Sequence, residues 1–226
     1  MKTSTYRLTG LLYLLVIVLA GSSQGYIRGT LIDYDDPSLT AANILENIAM
    51  FRAGLSLDLL AFIIDAIISV LLYQMFKSYG KNMAMIAAVL RLIAHPAIGS
   101  LNLLNHYLAY QVLGGADFLT TFSPAQLESW SMLFIDAHRH GYLIAGGFFG
   151  VHCLLLGILI FRSNTIPSFI GGLLIGSAAG YLIETFGNFN LPGYEHYTAL
   201  IVGISAAIGE VTLTLYLIIN RKNSVK

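Results

Sequence analysis

Six apolar blocks, each about long enough to cross a bilayer, set the order of residues in this chain of 226. A helix rises about 1.5 Å per residue, so roughly 20 apolar residues traverse a hydrocarbon core of about 30 Å. Bounded by charge and turn residues, the blocks fall at 7–25, 52–76, 83–112, 131–161, 166–187 and 198–220. They predict an all-α polytopic membrane bundle of six transmembrane helices in a single domain, 1–226. Composition agrees: 11% of the residues are charged and 56% apolar, against about 25% charged in a soluble domain. The formal net charge is zero, which gives no footing for a nucleic-acid partner. Cys153 is the lone cysteine, so no intrachain disulfide forms.

Charge placement predicts orientation. Lys2, Arg7, Lys77, Lys81, Arg162, Arg221, Lys222 and Lys226 fall on one side of the six spans. Asp33, Asp35, Asp36, Glu46, Asp117, Glu128 and Glu195 fall on the other, with few basic residues. Basic residues collect on the cytoplasmic side, so the chain reads N-in and C-in, a multi-pass protein of a cell's inner (plasma) membrane. The first block carries a basic start and Val18-Leu19-Ala20, but its apolar run outlasts the core of a signal peptide, so it is expected to stay uncleaved. Between the first two spans, the Asp35–Ser38 turn should lead into a short amphipathic helix, Thr40 to Met50. Pro96 should disturb the third span. Gly172, Gly176 and Gly180, four residues apart, suggest a face of the fifth span that admits a neighbouring helix closely.

Ionisable groups within hydrocarbon are costly and need a partner, a proton or a task. Arg91, His95, Asn102, Asn105 and His106 fall within about 100° of one another on the third span, one polar stripe that must face inward. Counted from the outer boundary, Asp58, His106, His138 and Glu184 lie roughly 5–15 Å deep, with Asp136 near them. Two histidines with carboxylates at one level have the composition of a metal or acid–base site. His106, His138, Asp58 and Glu184 are therefore candidate ligands of a divalent metal. Helix-to-helix hydrogen bonding is the structural reading of the same residues, each such bond contributing about 0.6 kcal/mol. A deeper polar layer holds Asp65, Arg91, His95, Asn102, His152 and Glu210, with Arg91 the expected counter-ion. Haem is disfavoured. His138 and His152 are fourteen residues apart, but His95 and His106 only eleven, so stacked haems would find mismatched ligands.

Several strings carry a resemblance. They are Arg7-Leu8-Thr9-Gly10-Leu11-Leu12-Tyr13-Leu14, Phe51-Arg52 followed by Asp58-Leu59-Leu60, His138-Arg139-His140-Gly141-Tyr142-Leu143-Ile144, and the run from Phe148 to Gly157 continuing into Phe161-Arg162-Ser163 and Pro167. On these the chain resembles a bacterial family of predicted six-helix membrane proteins that carries a domain-of-unknown-function label, over about residues 6–220. That resemblance implies the topology and no activity. A fainter likeness to membrane hydrolases of the alkaline-ceramidase type lacks their seventh span and paired-histidine helix. Three functions stay open. One is a polar cavity, open to the extracytoplasmic side, that binds a small molecule, lipid headgroup or cation. Another is an intramembrane metal-assisted hydrolase, with His106 and His138 as ligands and Asp58, Asp136 or Glu184 as ligand or base. The third is a structural or accessory subunit whose polar residues only fix packing. Apart from the lipid bilayer, no partner or oligomeric state is set by the sequence.

Overall fold

Residues 3–115 and 117–219 are described by the computed structural model; the basic residues Lys2, Arg221, Lys222 and Lys226 lie outside them. Helices account for every regular element among the described residues. Six are long and apolar enough to cross a membrane: α1 (Ser4–Leu31), α3 (Ile48–Tyr79), α4 (Lys81–Leu113), α5 (Pro124–Arg162), α6 (Ser168–Asn190) and α7 (Glu195–Ile219). The short α2 (Pro37–Glu46) lies between the first two spans, starting earlier than Thr40 and ending before Met50. Its start follows from chemistry. The Asp36 side chain accepts from the Leu39 amide at 2.9 Å, and Pro37 supplies the first helical residue, where no amide is missed. Ser123 and Gln126 cap α5 reciprocally, with Pro124 next in line.

Neighbours in sequence are neighbours in space, and α1 also packs on α7, so the six spans close into a ring. One end carries α2 and the 114–123 and 191–194 connections. The other carries the tight turns at Gly80 and at 163–167. Helix α5, 39 residues long, rises about 58 Å and outruns a bilayer. Its extension supports α2, where the Ser38 hydroxyl donates to Glu128 at 2.6 Å.

Two π-helical stretches interrupt the spans, Gly21–Arg28 in α1 and Ile93–Gly99 in α4. The Gly21-Ser22-Ser23-Gln24-Gly25 run is a weak α-helix former, and Pro96 has no amide to donate. A π turn bonds each amide five residues back and is wider than an α turn; Ser23, Ile27 and Arg28 are buried in the first stretch, Ala94 and Gly99 in the second. The sequence reading ended the first span at residue 25; the wider turn carries the helix on to Leu31 and turns Arg28 inward.

Burial is inverted relative to a water-soluble fold. Along α3, Asp58, Asp65 and Ser69 are fully buried, whereas Leu59, Leu60, Ile63, Ile67 and Val70 face outward. In α1, Leu8, Leu11, Leu15 and Val18 do the same. Only an apolar surround tolerates such a surface.

The expected glycine face of α6 is corrected. A side chain at Gly176 would meet nothing within 4 Å, and one at Gly172 only ordinary contact. Tight approach runs instead through Gly157 of α5 and Gly171 of α6, where a Cβ on either would stand 2.7 Å from the other's carbonyl oxygen. Of the three expected positions only Gly180 is crowded, against Ser205 of α7. Small residues lie nearly all round α6, so four-residue spacing did not single out the buried face.

Candidate functional site

An arginine from α1 organises the end of the bundle near α2. Arg28 Nη1 lies 2.8 Å from Asp58 Oδ2 on α3 and donates to Ser23 Oγ at 2.7 Å. Its Nη2 donates to His106 Nδ1 on α4 at 2.8 Å. Arginine only donates, so His106 Nδ1 accepts, and His106 Nε2–H must be the donor to the Phe51 carbonyl at 2.8 Å. The Phe51 ring stacks on the same imidazole, centroids 3.9 Å apart. That ring is thereby fixed in tautomer and plane.

His138 on α5 completes the cluster, its ring centroid 5.6 Å from that of His106. Here Nδ1 donates to the Asn102 carbonyl at 3.0 Å, while the Asn102 side-chain amide donates to the His138 carbonyl at 2.7 Å. This reciprocal clamp requires Gly141, since any Cβ there would stand 2.1 Å from Asn102 Oδ1. In the neutral ring the lone pair falls on His138 Nε2.

Two buried polar atoms of this cluster, Arg28 Nε and His138 Nε2, have no hydrogen-bond partner among the described residues. Asp58 Oδ1 and the Tyr142 hydroxyl also lack one in good geometry, but the Tyr142 hydroxyl stands close enough to the Asp58 carboxylate and to Gln24 to interact with both. Buried groups are bonded in the great majority of cases, and each exception needs an explanation. Arg28, His106 and His138 border a cavity of about 10 Å³, with Ile32, Tyr34, Phe51 and Ile135 as its remaining walls. Tyr34, from the connection after α1, is its most exposed wall at 48%. Its ring lies under the Arg139 guanidinium at 5.2 Å, and Arg139 pairs with Asp136 at 3.1 Å. Burial pushes the Tyr34 phenol above its ordinary range, with Arg139 opposing.

A second ionic layer lies seven residues along α3, about 10 Å deeper. Arg91 donates to Asp65 through Nε at 3.0 Å and through Nη2. Arg91 Nη1 reaches the Tyr13 hydroxyl at 2.6 Å and His152 Nε2 at 3.2 Å. His152 Nδ1 donates to the Ala87 carbonyl at 2.8 Å, and His95 Nδ1 meets Asp65 Oδ2 at 3.2 Å. The guanidinium also lies over the rings of Tyr13 and Phe149. Glu210 takes no part in the Arg91–Asp65 pair; its Oε1 accepts from Tyr181 at 2.7 Å. None of these residues is left with an unpartnered buried atom; the remaining such atom, Thr214 Oγ1, is one turn past Glu210 on α7. Phe62 separates the layers, stacked on His95 at 5.9 Å and tilted against Tyr142 at 6.2 Å.

Of the five residues expected at one level, Asp58, His106 and His138 meet around Arg28. Asp136 instead takes Arg139 and His140 at a half-exposed position, and Glu184 stands half-buried on α6 with no ion pair among the described residues. Among the described residues no three His, Cys, Asp or Glu side chains gather as a metal site would need, so the tetrad His106, His138, Asp58 and Glu184 does not assemble as ligands. The physical reason is Arg28, a fixed cation where a metal would have to sit. Sequence reasoning missed Arg28, Ser23, Tyr34 and Tyr142. A lone basic residue next to surplus membrane carboxylates was the available signal.

Apolar surface outward, ion pairs inward and six membrane-length helices define a multi-pass helical membrane protein. The chain belongs to the family described as "Domain of unknown function (DUF4386)", whose model matches residues 8–220. It is similar to an "Uncharacterized protein" of Archaeoglobus fulgidus, 29% identical over 160 residues, which are 71% of this chain and 78% of the relative. No solved structure matches.

Proposed function

We propose that this membrane protein binds a small polar molecule in the Arg28–His138 cavity, reached from the extracytoplasmic side past Tyr34. The observation that carries this reading is the contrast between the layers. The deep one is bonded throughout, which is what a structural network requires; the one near α2 keeps buried donors and acceptors free. Orientation rests on the eight basic residues at the termini and at the turns beside Lys81 and Arg162, which favour those segments on the cytoplasmic face of the cell's inner membrane. Beyond the deep layer, Leu72, Met75, Phe76, Leu156, Leu159 and Ile160 fill the interior with hydrocarbon. That packed interior fits a receptor or accessory role.

Labelling in intact cells tests this. In a Cys153→Ser background, Tyr34→Cys should react with a membrane-impermeant maleimide from outside, and Lys81→Cys only after permeabilisation. Glycerol, ethanolamine or inorganic phosphate, each added in turn, should include at least one solute that slows the Tyr34→Cys reaction. Labelling at Lys81→Cys instead would reverse the orientation, and protection by none of the three would remove the binding claim.

A further inference from the structure

The unpartnered atoms specify what the cavity accepts. Arg28 and His138 are both more than nine-tenths buried, at 7% and 4% exposure, and both border it. Arg28 Nε presents a hydrogen and no lone pair, whereas His138 Nε2, opposite in character, presents a lone pair and no hydrogen. A group that satisfies both must accept from one side and donate to the other. A sulfate or carboxylate oxygen meets Arg28 well but turns a lone pair on His138 Nε2, with the Asp58 carboxylate nearby. A cation is repelled by the guanidinium. A hydroxyl does both at once, and a cavity of about 10 Å³ admits one oxygen-sized group.

We infer that the Arg28–His138 cavity is a subsite for a single hydroxyl group, and that the bound molecule is a neutral polyol or a lipid headgroup bearing such a hydroxyl. This rests on the binding reading above. The remainder of the ligand leaves past Tyr34 and the half-buried Ile32, because Phe51, His106 and Ile135 are core side chains. Tyr34, held by Arg139, then closes over it, which gives the connection after α1 a part in selectivity.

The test uses full-length protein labelled with 15N-histidine, with the His138 ring signals assigned by their loss in His138→Gln. Glycerol added to detergent-solubilised protein should move the unprotonated His138 Nε2 resonance, since that nitrogen gains a hydrogen bond. Nanodiscs of phosphatidylglycerol compared with phosphatidylcholine distinguish a lipid source from a free one, and movement in either arm supports the subsite. Sodium sulfate, an oxyanion with no hydroxyl, should leave the resonance in place. Arg28→Lys keeps the positive charge for Asp58 but removes the Nε donor, so it should abolish the glycerol or phosphatidylglycerol shift, with the retained His138 ring signals showing that the variant is folded. If sulfate moves the resonance and hydroxyl probes do not, the hydroxyl assignment fails while binding stands. If no probe moves it, or if Arg28→Lys retains the shift in full, the subsite is overturned.

Discussion

Arg91→Leu in the detergent-solubilised protein is expected to cost about 3–5 kcal/mol of stability, the usual loss when one partner of a buried ion pair is removed. Asp65 is fully buried, and without Arg91 its only remaining ionic contact among the described residues is with His95. Asp65→Leu should cost about as much, because it strands a guanidinium held among Tyr13, His152 and Phe149. The double variant Asp65→Leu/Arg91→Leu should recover most of the loss, since replacing both charges by apolar groups removes the desolvation cost of both. Thermal unfolding of the three variants gives the coupling directly. Additive losses in the double variant would mean that the two side chains act independently, contrary to the shared bonds described.

Gly157→Leu should be comparably damaging for a steric reason. Its Cβ would lie 2.7 Å from the Gly171 carbonyl oxygen and 2.8 Å from Ile175, so α5 and α6 must separate. Overpacking of that kind costs about 1–3 kcal/mol and more where backbone must move, and close approach of small residues is the main attraction between membrane helices. Gly176→Leu, by contrast, places its side chain in open space and should leave the melting temperature near wild type. A contrast in that direction, read from thermal unfolding in detergent, checks the packing. Equal damage at both positions would contradict it.

The six spans were legible because a run of about 20 apolar residues averages over every local ambiguity. The inward stripe on α4 was legible too, since Arg91, Asn102 and His106 recur at helical spacing and all three are buried. Boundaries were less so. Gly21-Ser22-Ser23-Gln24-Gly25 reads as a loop from composition, yet it winds as a π-helix, and that choice hid Arg28. Depth could be counted along each helix, but depth does not fix the direction in which a side chain points. Glu184 and Asp136 therefore share a level with His138 without joining its cluster. Pairing is tertiary, and it decides which carboxylate receives which cation. The relation of Gly157 to Gly171 was hidden for the same cause: spacing identifies small residues and cannot show which of them meet.

The distinction between a bonded structural layer and an incompletely bonded binding layer is tested most directly by deleting one hydroxyl from each. Tyr13→Phe removes an acceptor from Arg91 and should lower stability by about 1.5–3 kcal/mol, the usual worth of a hydrogen bond to a charged group. Tyr142→Phe removes a buried hydroxyl that only approaches Asp58 and Gln24, outside direct hydrogen-bond geometry, so its cost in stability should be much the smaller of the two. A Tyr142→Phe loss as large as that of Tyr13→Phe would show the layer around Arg28 to be as fully bonded as the deep one, and the account of the site would fail.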